Sequence, residues 1–158
     1  MSNDVVYRQA TKDDLSLISK WTYRLYKHED DKQLKPHPDI KNNLSKWLSA
    51  ELVNSNSLFV IAEIKGKPKG FIGAACVLND NEFLMNPMKG VIQLLWLDKS
   101  IRHQGIASQL VKQIELCFQD LGISYVECGF TAKNQLAQNF WTRQQYLPCS
   151  ITARKMIK

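Results

Sequence analysis

The sequence lacks the patterns that mark several large classes of protein. No apolar run approaches the ~20 residues of a membrane span, and the first residues show neither the basic nor the apolar part of a signal peptide. The four cysteines form no C-x-x-C pair, and the three histidines do not stand at metal-ligand spacing. We therefore expect a cytoplasmic protein with reduced thiols, no metal site and no membrane partner.

Nucleotide-binding glycine motifs are also missing, because neither G-x-x-x-x-G-K-[ST] nor G-x-G-x-x-G occurs. The formal net charge is +6, but the positive residues are scattered along the chain. Their densest group, Lys65, Lys67 and Lys69, lies in a glycine- and proline-containing turn between two apolar runs. Without a basic helix or an aromatic RNA-binding motif, nucleic acid is disfavoured as a partner, and a nucleic-acid-binding module rests on charge alone.

The apolar residues that are present predict one α/β domain over residues 1–158. A chain of 158 residues, 44% of them hydrophobic, can bury its own core. Apolar spacing predicts the order β-α-α-β-β-β-α-β-α-β, which is a mixed sheet whose antiparallel meander leads into one parallel βαβ unit. The predicted strands cover residues 5–10, 57–64, 71–78, 91–97, 124–130 and 151–157, and the predicted helices follow Thr11 and cover 40–52, 105–121 and 134–145.

The stretch SIRHQGIASQL, residues 100–110, joins the buried run VIQLLWL to a long helical pattern. The first turn of a helix leaves backbone N–H groups without partners, and these groups attract anions. Gly105 has no Cβ and lets a ligand approach the backbone, while Ala107 keeps the next position small. Arg102 offers a guanidinium to phosphate oxygens. The pattern indicates a pyrophosphate site, although a plain strand-to-helix turn capped by Gly105 fits the spacing equally well.

Two segments together resemble the GCN5-related N-acetyltransferases (GNAT family). LDKSIRHQGIASQLV is similar to the acetyl-CoA-binding signature of that family, R/Q-x-x-G-x-G/A, with Arg102, Gly105 and Ala107 in register. NQLAQNFW, residues 134–141, is similar to the later family helix N-x-x-A-x-x-[FL]-Y. The whole chain follows the family's order of elements. The resemblance implies the GNAT-like acyl-CoA N-acyltransferase fold, a mostly antiparallel sheet with a splayed CoA slot beside its parallel unit.

The resemblance also implies a set of contacts with acetyl-CoA, the acetyl donor. Backbone N–H groups would hold the pyrophosphate, main-chain groups at the strand end would bind the pantetheine, and an N–H near Leu97 would polarise the acetyl carbonyl. Residues of the later helix would lie beside the cofactor. The implied cofactor-binding residues are Leu95, Trp96, Leu97, Arg102, His103, Gln104, Gly105, Ile106, Ala107, Ser108, Asn134, Phe140, Trp141 and Arg143.

Two positions depart from the family's pattern and leave the acid and the base open. Trp141 replaces a tyrosine that can protonate the departing thiolate, and an indole N–H is not a useful acid. Tyr146 is close in sequence but occupies a position where the family's aromatic residue is usually core. Gln93 stands where many members carry a carboxylate base, so Glu127 on the next strand is the candidate catalytic base. Glu82, a water molecule, or a purely structural Glu127 are the alternatives.

In the family, the acceptor lies against the first two helices and the loop between them. Tyr26, Glu29 and Asp30 are therefore the candidate substrate residues, because acidic groups beside an aromatic ring suit a cationic amine. A solvated polar loop is the alternative. The expected reaction is direct transfer of acetyl to a primary amine. A non-catalytic acyl-CoA-binding or sensing domain is the second hypothesis, and the resemblance also allows a homodimer.

Overall fold

The alternating and helical apolar patterns fold into a five-stranded sheet with helices on both faces, in a computed structural model that describes residues 4–157. Short 3₁₀ turns at Lys12–Asp14 and Lys99–Ile101 come before the first and third helices. No helix within the described range is long and apolar enough to cross a membrane. The elements in chain order are β1 (Val5–Gln9), α1 (Leu15–His28), α2 (Ile40–Glu51), β2 (Ser57–Ile64), β3 (Lys67–Leu78), β4 (Met88–Leu97), α3 (Ile106–Asp120), β5 (Val126–Cys128) and α4 (Gln135–Arg143).

The five strands lie in sequence order across the sheet. Neighbours from β1 to β4 are antiparallel, whereas β4 and β5 are parallel with α3 as the crossover between them. The predicted α/β class, the meander and the single βαβ unit are therefore confirmed. The strand β2 covers the predicted residues, and β3 and β4 each begin a few residues earlier than predicted.

The connection from β1 to α1 is fixed by a capping box formed by Thr11 and Asp14. The Thr11 hydroxyl accepts from the Asp13 N–H, and the Asp14 carboxylate accepts from the Thr11 N–H at 2.8 Å. Arg8 of β1 donates to both oxygens of Asp14 at 2.8 Å, and this pair holds the pKa of Asp14 below its usual range. The start of α1 is thereby tied to the sheet edge.

Two apolar clusters, one on each face of the sheet, hold the helices in place. On one face Trp21 of α1 stacks on Phe71 and Trp96, with ring centroids 5.7 and 4.9 Å apart. On the other face the α3 residues Leu110 and Ile114 are completely buried against the strands. The end of β4 contributes side chains to both clusters. Its main chain is therefore the part of β4 that remains for a ligand.

The sheet opens beside the second half of β4. The register between β3 and β4 shifts at Gly73 and Ala74, which leaves Gln93 as a bulged residue without a partner on β3. On its other edge, β4 pairs with β5 only through Gly90–Ile92. Beyond that point the described chain places no strand against β4. The main chain from Gln93 to Leu97 thus has one open edge, as the resemblance implied.

The prediction of a sixth strand at ITARKMI is wrong. In the structure residues 147–157 are irregular and exposed. The preceding strand is also shorter than predicted, since β5 runs only from Val126 to Cys128. A strand needs a partner edge, and three residues of β5 offer too short a one. Arg154 instead donates to the Asp31 carboxylate in the α1–α2 loop.

Gly90 of β4 provides a test of the β4–α3 contact. A Cβ at this position would lie 2.6 Å from two ring carbons of Phe118, whose ring is buried. We expect Gly90→Ala to lower the free energy of unfolding by about 1–3 kcal/mol, because a packed core yields only with strain. Gly129→Ala is the matched control, since no heavy atom lies within 4 Å of the position its Cβ would take. Urea denaturation measures both variants, and equal stabilities would contradict this packing.

Candidate active site

A short turn carries the chain from the end of β4 to the start of α3. Asp98 Oδ1 accepts from the Ser100 N–H at 2.9 Å and from its hydroxyl at 2.6 Å, and these bonds hold the pKa of Asp98 below its usual range. Ile101 and Ile106 are buried and anchor the two ends of the following segment in the core. Residues 102–105 between them are exposed. The segment is therefore held at both ends and open to solvent in the middle.

The backbone of this exposed segment is arranged as an anion-binding surface. His103 and Gly105 have left-handed backbone conformations, with φ of 62° and 79°. None of the six N–H groups from His103 to Ser108 donates to an acceptor within residues 4–157. Consecutive N–H groups of this kind, at the positive end of a helix dipole, form a concavity that suits anions. Any helix start leaves four such groups free, here Gly105 to Ser108, and His103 and Gln104 extend the run to six.

Side chains brace this segment from both sides and leave its N–H groups free. Arg102 Nε donates to the Leu97 carbonyl at 3.1 Å, and Gln104 Nε2 donates to the Ser100 carbonyl at 3.1 Å. Gln144, just after α4, donates to the Ser108 hydroxyl at 2.8 Å. The Nη groups of Arg102 make no hydrogen bond among the described residues. They are left for a ligand, such as the predicted phosphate.

The predicted residues at the end of β4 have packed side chains and differ in where their main-chain groups point. The Trp96 ring stacks on Trp21, and the Arg24 guanidinium carbon lies 5.9 Å from the Trp96 ring centroid. Leu95 and Leu97 pack into the cluster that contains α3. The Asp98 N–H donates to the Lys69 carbonyl of β3 at 2.8 Å, so alternation along β4 turns the main-chain groups of Trp96 toward β3 and those of Leu95 and Leu97 toward the open edge.

The aromatic residue at the family's tyrosine position is part of the core. Trp141 is 6% exposed, and its ring meets Phe140 and Tyr146 edge-on with centroids 5.0 Å apart. Arg143 in the last turn of α4 is exposed. Asn134 is the N-cap of α4, where its side-chain oxygen accepts from the first turn at 3.0 Å. Trp141 therefore replaces the tyrosine as a packing group.

Tyr146 is also held away from acid chemistry by its surroundings. Its hydroxyl donates to Glu115 Oε1 of α3 at 2.9 Å. Burial, together with this hydrogen bond to a carboxylate, raises the pKa of Tyr146 above its usual value. A phenol with a raised pKa gives up its proton less readily. This placement agrees with the interpretation of Tyr146 as a core aromatic residue.

A cleft of about 1670 Å³ lies between the α1–α2 loop, β5, the start of α4 and the C-terminal residues. The structure brings two of the three predicted acceptor residues, Glu29 and Asp30, to this cleft. Tyr26 is exposed on α1 and lies outside the cleft lining. Acidic side chains outnumber basic ones in the lining, and the acidic ones are Glu29, Asp30, Asp31, Glu115 and Glu127.

The three consecutive acids of the α1–α2 loop each have a different partner. Glu29 accepts from the Thr131 hydroxyl at 2.7 Å, and Asp30 pairs with Lys32 at 2.8 Å. Asp31 accepts from Arg154 and from the Gln33 N–H, and the Arg154 guanidinium, as the larger cause, holds the pKa of Asp31 below its usual range. The loop is thereby connected to α4 and to the C-terminal residues.

The candidate base Glu127 lies on β5 just before the sheet opens. It is the register partner of Val91, two residues before the bulged and exposed Gln93. Its Oε2 accepts from Lys89 Nζ at 3.0 Å, and this hydrogen bond raises the pKa of Lys89. Glu127 also lines the cleft. The structure therefore brings a paired, partly exposed carboxylate close in register to the usual base position.

Several residues that shape the site were not predicted from the sequence. Thr131, Gln144 and Arg154 make their contacts across 36 to 123 positions of the chain. Apolar periodicity carries no information about polar contacts of this range. The only local signal is that each residue lies next to a helix end or in a polar segment, which many surface residues also do.

The opened sheet and the free N–H groups define an α/β domain with a surface suited to an anion at the start of α3. A family model, described as the acetyltransferase (GNAT) family, matches residues 22–146. The chain belongs to this family, and the resemblance seen in its motifs is confirmed. Membership of the GNAT family indicates that the protein is an acetyltransferase in general terms. No curated protein sequence matches the chain closely enough to count as a relative.

Solved structures with this fold are distant in sequence. A GCN5-related N-acetyltransferase from Ralstonia eutropha has a TM-score of 0.82 at 20% identity, over 96% of this chain and 98% of its own. A predicted acetyltransferase from Clostridium acetobutylicum with acetyl-CoA has 0.80 at 18%, over 96% of each chain. An aminoglycoside antibiotic 6′-N-acetyltransferase from Acinetobacter haemolyticus has 0.77 at 10%, over 97% of this chain and 98% of its own. At these identities the similarity establishes the fold alone.

The two cysteines that line the cleft should differ in reactivity. Burial raises the pKa of the Cys128 thiol to about 11, whereas Cys149 is exposed. Because the thiolate is the nucleophile, we expect iodoacetamide to label Cys149 first at about pH 8. The Cys128 rate should still rise about tenfold per pH unit up to about pH 10. Timed labelling with peptide mass spectrometry gives both rates, and a Cys128 rate that levels off near about pH 9 would contradict its burial.

Proposed function

We propose that this protein is an N-acetyltransferase that moves the acetyl group of acetyl-CoA directly to a primary amine. The observation that carries the proposal is the run of six N–H groups without partners, from His103 to Ser108, beside an opened sheet strand. These donors suit the pyrophosphate of acetyl-CoA, and Arg102 adds a cation next to them. Family membership and a fold neighbour solved with acetyl-CoA support the same donor.

The open edge of β4 suits the pantetheine arm, which would bind main-chain groups of Leu95 and Leu97 there, since those of Trp96 face β3. In the proposed reaction the amine nitrogen attacks the carbonyl carbon of the thioester. The C–N bond forms, the C–S bond breaks, and the thiolate leaves with the electron pair. A main-chain N–H near Leu97 would stabilise the negative charge that develops on the carbonyl oxygen. The nitrogen must also lose a proton to a base.

The acceptor in this proposal is a cationic amine that enters the carboxylate-lined cleft. Negative side chains raise the local concentration of a cation at low ionic strength. Of the predicted acceptor residues, Asp30 and Glu29 line the cleft, and Tyr26 lies one helical turn before them. A fold neighbour that is an aminoglycoside N-acetyltransferase supports an amine as the acceptor class.

The proposed position of acetyl-CoA can be tested at Gly105. Gly105 and Gly122 flank α3, have φ of 79° and 75°, and have no heavy atom within 4 Å of the position that a Cβ would take. We therefore expect Gly105→Val and Gly122→Val to lose similar stability through backbone strain. Only the Gly105 variant should lose acetyl-CoA affinity, by about a hundredfold, because its side chain blocks the pyrophosphate.

Calorimetry measures the affinity of both variants, and thermal unfolding shows whether acetyl-CoA stabilises the native protein. Unchanged affinity in the Gly105 variant would contradict the placement of the pyrophosphate. Release of free CoA thiol with a panel of spermidine, sisomicin and amino acids then measures transfer. Binding of acetyl-CoA without thiol release across the panel would favour the acyl-CoA-sensing domain that Trp141 and Gln93 also suit.

Glu127 is the proposed base, and its substitution separates a catalytic carboxylate from a structural one. We expect Glu127→Gln to lower kcat by about a hundredfold or more, because an amide cannot accept the proton. Lys89→Met keeps the carboxylate but removes its cation, so the transfer activity should persist in this variant. Steady-state kinetics of both variants give kcat and kcat/KM. Full activity in Glu127→Gln would assign the proton to water instead.

A further inference from the structure

The side chain of Glu29 connects the α1–α2 loop to the turn that precedes α4. Its Oε2 accepts from the Thr131 hydroxyl at 2.7 Å and from the Thr131 N–H at 3.3 Å. Its Oε1 accepts from Asn134 Nδ2. Three hydrogen bonds thus join elements that lie more than 100 positions apart in the chain, and both carboxylate oxygens take part.

Asn134 is held at both ends of its amide. While Nδ2 donates to Glu29, Oδ1 accepts from the Ala137 N–H at 3.0 Å and caps α4. The carboxylate can only accept and the helix N–H can only donate, so the two contacts together determine which way the amide points. The orientation of the Asn134 side chain is therefore set by a residue of the α1–α2 loop.

We propose that Glu29 is a positioning residue for the donor side of the site. It fixes the turn Thr131–Asn134, and through this turn it sets the first residues of α4 against the bound acyl-CoA. This inference rests on the proposed function, with Asn134 among the residues that the resemblance to the family places beside acetyl-CoA. Glu29 then makes the acceptor loop and the donor site one connected unit, and its carboxylate serves Asn134 instead of the acceptor's ammonium group.

The neighbouring acids make Glu29 the specific link. Asp30 pairs with Lys32 inside the same loop, and Asp31 pairs with Arg154 near the C-terminus. Of the three, only Glu29 hydrogen-bonds to the segment before α4 in the described structure. Because Asp31 takes part in none of these hydrogen bonds, a substitution at Asp31 provides a control within the same loop.

The chain allows an exchange of donor and acceptor across this contact. In Glu29→Gln the new amide nitrogen would face the nitrogen of Asn134, and in Asn134→Asp two carboxylates would face each other. In the double variant, the new amide nitrogen at position 29 donates to the new carboxylate at position 134. The amide oxygen at position 29 still accepts from Thr131, and the second carboxylate oxygen at position 134 still caps α4. Every hydrogen bond is restored with one polarity reversed.

We expect each single variant to weaken acetyl-CoA binding by about fivefold to twentyfold, since hydrogen bonds to charged groups contribute the most when one partner is lost. The double variant should recover to within about threefold of the native protein. Asp31→Asn should bind acetyl-CoA like the native protein. Calorimetry with acetyl-CoA alone gives these affinities without any knowledge of the acceptor.

Hydrogen exchange of the Ala137 N–H, measured without ligand, separates this inference from the proposed function. Its protection should fall in each single variant and return in the double variant. If the native protein binds no acetyl-CoA, the proposed function is wrong. The proposal that Glu29 positions a donor site is then wrong as well. If the native protein binds but the double variant is as weak as the two losses added together, Glu29 does not position Asn134. Unchanged affinity and unchanged Ala137 exchange in both single variants would overturn the proposal as well.

Discussion

Unequal pairing on the two edges of β4 is the constraint on which the rest of the site depends. One edge pairs with β3 from Met88 to Leu97 apart from the bulge at Gln93, and the other edge pairs with β5 over three residues. The long ladder keeps the strand rigid, and the short ladder leaves main-chain donors and acceptors exposed at its far end. A ligand can therefore add to β4 like a further strand without any rearrangement of the core. The side chains from Leu94 to Leu97 are half-buried or buried and pack on both faces of the sheet. Packing therefore uses the side chains of this end, and the main-chain edge remains for a ligand.

The segment after β4 has an unfavourable backbone conformation that is stabilised by the packing of its two ends. Six N–H groups lack protein partners in a segment whose residues 102–105 are exposed, and His103 holds a left-handed conformation that costs a non-glycine residue about 1–2 kcal/mol. Ile101 and Ile106 are buried on either side and anchor the two ends of this segment in the core. Arg102 reinforces this by bonding back to Leu97. An anion replaces water at donors that are already oriented, so little ordering remains for binding to require.

The features of the fold and of the site that depend on residues close together in the chain could be predicted from the sequence. Alternating and helical apolar spacing located β2 and α2 closely, and the run from Gly105 identified the helix whose start forms the anion site. The prediction of a strand at ITARKMI was wrong because an alternating apolar pattern shows only that a segment can form a strand. The pattern does not show that a sheet edge is available to pair with it. Contacts such as Glu29 with Asn134 depend on where the folded chain brings two polar side chains, and no periodicity records that. The anion site was predictable because its parts are consecutive, whereas the acceptor cleft is assembled from four separate segments.

The aromatic residues near α4 bear on how the leaving group departs in the proposed reaction. Trp141 is committed to the core, and Tyr146 has a raised pKa and a carboxylate partner, so neither side chain is suited to donate a proton. A CoA-like thiol has an ordinary pKa of about 8.5, and its thiolate is a tolerable leaving group without protonation. The amine is the more demanding partner, because an alkylammonium must lose a proton before its nitrogen can attack. The chemistry that this chain must supply is therefore concentrated on the acceptor side, where the carboxylates lie, and the donor side needs only to hold the thioester in place.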